Sequence, residues 1–246
     1  MGDGVRLVEV QVADDPAAWA AAGFTTHGDL VQVGPVALRL TGRPADGARG
    51  VTGWTVAGLD VASGHIDGLP TTGRSEVSAP RTTGPGVEPP PGGEPSPAEP
   101  TEHPTHPNGV IGLDHVVVLT PDLERTIAAV EATGLDLRRI RETSANGSPM
   151  RQAFFKLGPV VLEVVSGNVG TGVPVDAAPA TFFGLAMDVD DLDISAQALG
   201  EHLGRTKPAV QPGRRIATLR HRPLDLSVPI ALMDRRGDRT AGDGGR

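Results

Sequence analysis

The sequence predicts an α+β fold built from repeated strand–helix–strand–strand–strand (βαβββ) units. Three observations carry that expectation. GLDHVVVLTPDLERTIAAVEATGLDLRRIRE (112–142) and its continuation QAFFKLGPVVLEVVSG (152–167) alternate as strands around one helical apolar stripe. A second unit opens at TFFGLAMDVDDLDISAQALGEHLG (181–204). Finally, QVGPVALRLTG (32–42) repeats KLGPVVLEVVSG (156–167) in its turn, its alternation and its closing glycine.

In chain order, VRLVEVQV (5–12) alternates as a strand, and Asp15 with Pro16 starts a short helix closed by Gly23. DLVQVGPVALRLTG (29–42) gives two strands about Gly34-Pro35, and VTGWTVAGL (51–59) one more. The stretch from there to residue 78 is too short and Gly-rich for another full unit, so residues 1–78 read as one degenerate N-terminal unit. In it Arg39 stands where the later copy has Glu163, and Val8 where it has His115. Residues 79–109 read as a disordered linker, because the ten prolines and four glycines of 79–108 come with no aromatic residue and cannot form a core. His103 and His106 fall in this linker, where solvated histidines are commoner than metal ligands.

Residues 110–236 hold the two consecutive units and 237–246 a flexible tail. Thr120 caps a helix with Pro121 at its first position, Leu123, Ile127 and Val130 form its buried stripe, and Gly134 ends it. LDLRRIRE is a strand, and ETSANGSPM (142–150) a loop able to cover or open a site. In the second unit FFGLAMDV leads into a helix burying Leu192, Ala196, Leu199 and Leu203, and RRIATLRH and LSVPIALMD supply later strands.

The chain of 246 residues has no cysteine, which removes disulfides and thiolate chemistry and fits a cytoplasmic location. No secretory leader is read at its start, and no apolar run reaches the ~18 residues of a membrane span. Its net charge of −8, with few aromatics and no basic face, argues against nucleic acid as a partner.

The chemistry points to two residues. Period-two alternation puts Val116, Val118, Leu162 and Val164 on one face of their strands, and His115, Val117, Val161 and Glu163 on the other. An imidazole and a carboxylate inside apolar strands need a reason to be there.

LDHVVV opening one unit and VDDLD at the strand–helix junction of the next resemble the vicinal oxygen chelate superfamily, which includes glyoxalase, bleomycin-resistance and extradiol-dioxygenase proteins. The resemblance covers about residues 112–234 and only faintly 5–59. It implies that paired units curl a mixed sheet into an open barrel around a cavity for a small molecule. It also implies a divalent metal (Zn, Fe, Mn or Ni) held from the first and fourth strands of each unit. Carried over, those positions are His115 and Glu163 in one unit, Gly184 and Ala231 in the other. Half the ligand set is therefore missing, unless His221, Asp188, Asp225 or a second chain in a homodimer supplies donors.

Three readings of His115 and Glu163 stay open: a metal site, a metal-free ligand contact, or a structural pair. Phe155, Arg214 and Arg215 are candidates for substrate binding, with one phenylalanine of each pair (Phe154/Phe155, Phe182/Phe183) facing the core. The cluster Arg214, Arg215, Arg220, His221, Arg222 fits an anionic substrate, although a charged strand edge is the commoner explanation. Asp188, Asp190, Asp191 and Asp193 lack a calcium-loop spacing and fit a helix N-terminus. The functional expectation is a small-molecule site acting as a metal-dependent lyase, isomerase or dioxygenase. The alternatives are a sequestering binder without chemistry and an interaction scaffold.

Overall fold

The computed structural model describes residues 4–59, 63–74, 105–145, 148–166 and 178–235. The first main unit runs β7 (Val110–Thr120), α2 (Leu123–Glu131), β8 (Leu137–Ala145), β9 (Ser148–Leu157) and β10 (Val160–Ser166). The second runs β11 (Thr181–Val189), α3 (Leu192–Leu199), β12 (Lys207–Pro208), β13 (Arg215–Thr218) and β14 (Ile230–Asp234). Together they form a mixed sheet in the order β12-β13-β14-β11-β7-β10-β9-β8, curled into a half-barrel. In each unit the first strand lies parallel to the fourth, and β7 and β11 join the units antiparallel.

The helices form where their caps and stripes place them. Asp122, not Thr120, is the N-cap of α2: its carboxylate accepts from the N–H of Arg125 at 3.0 Å, while the Thr120 hydroxyl accepts from the N–H of Asp122. Leu123, Ile127 and Val130 are buried as expected. Asp191 caps α3 in the same way. The stretch expected as a loop at 142–150 instead runs as strand to Ala145 and again from Ser148.

The N-terminal region holds two trimmed units rather than one. The first comprises β1 (Arg6–Val12), α1 (Pro16–Ala21), β2 (Leu30–Val33) and β3 (Val36–Leu40). The second, β4 (Val51–Ala57), β5 (Ser63–Ile66) and β6 (Leu69–Arg74), has no helix among its described residues. Their sheet, β2-β3-β1-β4-β6-β5, repeats the main plan with one strand fewer on each side. A register shift between Leu7 and Glu9 on β1 moves Val8 out of step. Val10 pairs with Leu38 as Val116 pairs with Leu162, so Glu9, not Val8, occupies the place of His115. There Arg39 binds Glu9 at 3.0 Å, an acid and a base with their places exchanged.

One apolar core runs through both sheets. Trp54 meets Phe182 edge-on at 5.2 Å, and Arg125 donates to Asp67 at 2.8 Å across the junction. Of the expected linker, 79–104 lies outside the described residues, as does the tail 237–246. Residues 105–109 are packed, and the solvated-histidine expectation fails for His106, which is 6% exposed. Its Nδ1 accepts from the N–H of Thr25 at 3.0 Å, and its Nε2 donates to the carbonyl of Gln32 at 2.9 Å. Among the described residues no helix is long and apolar enough to cross a membrane.

Candidate functional site

Parallel pairing of β7 with β10 sets the site. His115 lies opposite Val161 and Val117 opposite Glu163, so all four side chains share one face of the sheet. The other face, Val116, Val118, Leu162 and Val164, is fully buried. The diagonal brings His115 Nε2 to 3.3 Å from Glu163 Oε2. Both groups lie in a cavity of about 470 Å³ that also touches Asp114, Arg138, Arg139, Phe154, Lys156 and Gln211.

Asp114 joins His115 through a β-bulge. His115 pairs with Ala186 and Leu113 with Met187, leaving Asp114 as the extra residue on β7. The bulge breaks the alternation, and Asp114 Oδ1 accepts from His115 Nδ1 at 2.7 Å. Asp114 is also held by Arg214, whose Nη1 donates to Oδ2 at 2.7 Å. Burial pushes the Asp114 carboxyl up, but the hydrogen bonds from His115 and Arg214 outweigh it and hold it at about 2. An ionised carboxylate only accepts, so the proton of a neutral His115 sits on Nδ1, and Nε2 faces Glu163.

Glu163 is tuned in the opposite direction. Burial raises its pKa against the lowering charges of His115 and Arg141. Gln152 on β9 donates its amide N–H to Glu163 Oε1, and the Gln152 Oε1 is buried without a partner. Sequence reasoning missed both Asp114 and Gln152. A bulge leaves no mark in the alternation of LDHVVV, and Gln152 gains its meaning only from the register of β9 against β10.

The other candidates fall elsewhere. Phe155 borders the cavity, but it sits opposite Leu162 on the core face and is 1% exposed, so it does not present its ring there. Phe154, opposite Glu163, does, with the Arg139 guanidinium 4.6 Å from its ring centroid. Arg214 is buried, committed to Asp114, to Asp188 at 2.5 Å and to the carbonyl of Asp234 at 2.5 Å. Arg215 binds Asp234 and Asp193 at 2.6 and 2.8 Å. Neither arginine lines the cavity, whose cations are Arg138, Arg139 and Lys156. The aspartates of the acidic run are paired: Asp188 with Arg214, Asp191 and Asp193 with Arg215.

The second unit is bare at the equivalent positions. Leu185 pairs with Ile230 as Val116 pairs with Leu162, so Gly184 and Ala231 correspond to His115 and Glu163. A Cβ at Gly184 would stand 2.6 Å from the carbonyl oxygen of Pro229, leaving no room for a side chain. Asp225 is engaged by Arg43, and among the described residues no group of three or more His, Cys, Asp or Glu could hold a metal ion. The donor set therefore does not fit a metal centre built from the described residues, which needs three or more protein ligands.

Residues 114–218 match the family model described as the Glyoxalase/Bleomycin resistance protein/Dioxygenase superfamily. No curated protein matches the chain. Among solved structures, the chain is similar to a mutant of 4-hydroxymandelate synthase from Streptomyces coelicolor at 13% identity, covering 96% of this chain and 94% of that one with a TM-score of 0.59. It is also similar to a xylose isomerase-like TIM barrel/4-hydroxyphenylpyruvate dioxygenase fusion protein at 12% identity, covering 99% of this chain and 51% of that one with a TM-score of 0.59. At these identities the likeness is one of fold. Residues 114–218 are thus similar to the glyoxalase/bleomycin resistance protein/dioxygenase superfamily, and the fold is that of the vicinal oxygen chelate group.

Proposed function

We propose that the half-barrel binds a small organic anion and exchanges a proton with it at the His115–Glu163 pair, without a metal. The observation that carries this reading is the 3.3 Å between His115 Nε2 and Glu163 Oε2 inside the cavity. Arg138, Arg139 and Lys156 supply positive charge along the wall, and Phe154 offers an aromatic face beside Arg139. About 470 Å³ is a volume that suits a small ligand.

Asp114 fixes the ring so that Nε2 is the exchanging nitrogen. Glu163, raised by burial, takes or returns the proton at Oε2 while Gln152 steadies Oε1. The metal-dependent lyase, isomerase or dioxygenase chemistry implied by the resemblance needs a third donor, which the described residues do not place beside His115 and Glu163. A second reading, sequestration without chemistry, is favoured by the bare second unit at Gly184 and Ala231.

The test is calorimetric titration of chelator-treated protein with a panel of small carboxylates, benzoate and pyruvate among them. Saturable binding weakened at least tenfold by His115→Ala is expected. No binding across the panel, or equal binding by His115→Ala, overturns the reading. Deuterium uptake into pyruvate in D2O, lost in Glu163→Gln, separates proton exchange from sequestration.

A further inference from the structure

We infer that Arg214 is a positioning residue: from the second unit, it clamps Asp114 and thereby fixes which ring nitrogen of His115 faces the cavity. The inference rests on the proton-exchanging reading of the His115–Glu163 pair. Arg214 is 5% exposed and lies just before β13. Its guanidinium spans Asp114, Asp188 on β11 and the carbonyl of Asp234 on β14. Asp114 is the link, receiving Arg214 on Oδ2 and His115 on Oδ1, both at 2.7 Å.

An arginine this deep is tolerated only when its donors are met, and here two carboxylates and a carbonyl meet them. The geometry has a direction. The second unit has lost its side chains in the hollow at Gly184 and Ala231, yet through Arg214, itself held by Asp188, it reaches the Asp114 that binds His115. Without Arg214, Asp114 keeps the imidazole as its one charged partner among the described residues and gains access to its protonated form, which both donates and accepts. The ring is then free to take the other tautomer. Lysine at this position cannot reproduce the fixed fork that reaches three acceptors.

The test is nitrogen-15 NMR of the His115 ring in the full chain, comparing wild type with Arg214→Lys, Arg214→Met and Asp114→Asn, alongside benzoate titration. Wild type is expected to carry its proton on Nδ1. Asp114→Asn and Arg214→Met are expected to move population to Nε2–H and weaken benzoate at least fivefold, with Arg214→Lys intermediate. Should Arg214→Met fail to fold, the near-isosteric Asp114→Asn and Arg214→Lys carry the comparison. Unchanged ring signals in the folded variants overturn the inference. Absence of benzoate binding to wild type counts against the ligand reading alone, since the tautomer is read without ligand.

Discussion

His115 Nε2 and Glu163 Oε2 stand 3.3 Å apart on adjacent parallel strands, the imidazole backed by an ionised Asp114 and the carboxylate raised by burial. A group whose folded pKa is raised favours its protonated form in the fold, so its contribution falls as pH rises from the unfolded value through the folded one. Glu163→Gln is therefore expected to raise the thermal midpoint at pH 7, by about 2–4 °C for each kcal/mol recovered, and to lose the gain near pH 4. Thermal melts of both proteins at the two pH values check this.

Asp114 has the opposite sign. Its folded pKa of about 2 lies below the unfolded value, so its contribution is full above pH 4 and is lost as pH falls towards 2. Asp114→Asn should cost about 3–5 kcal/mol at pH 7, since it leaves Arg214 with one carboxylate and removes the anion that holds His115 Nδ1. Urea titrations at pH 7 and pH 3 should find the deficit shrinking in acid.

His106 makes a pH-dependent clasp between residues 105–109 and the N-terminal sheet. Burial lowers its pKa, the favourable bond to the Gln32 carbonyl notwithstanding. A proton on Nδ1 would face the Thr25 N–H that this nitrogen now accepts. Because the unfolded chain binds the proton more readily, stability is full above about pH 6.5 and declines as pH falls from there towards the folded value. His106→Gln should flatten the stability slope between pH 7 and 5, as measured by urea unfolding.

Gly184 is closed to side chains by the Pro229 carbonyl. Gly184→Ala should cost about 1–3 kcal/mol through overpacking, and Gly184→His with Ala231→Glu should fail to rebuild a four-donor metal site. Chemical denaturation and zinc titration of these variants check both outcomes.

The strands were legible because Val116, Val118, Leu162 and Val164 alternate without interruption, and the same alternation placed His115 with Glu163. What stayed hidden depended on single-residue shifts in register. The bulge at Asp114 turns two consecutive side chains towards one site, and the shift at Leu7–Glu9 replaces Val8 by Glu9. Phe154 and Phe155 differ only in parity, which the pairing with Glu163 and Leu162 settles. Arg214 looked like a surface charge because its partners Asp114 and Asp188 are distant in sequence. Of the second trimmed unit only β4 left a signal, as VTGWTVAGL, and β5 at four residues is too short to show a period.

The most direct measurement tracks the His115 ring resonances as benzoate is added to chelator-treated protein, with and without one equivalent of zinc. Equal affinities and equal shifts in both titrations are the expected result. Ring signals that respond to benzoate only after zinc is added would contradict the metal-free site.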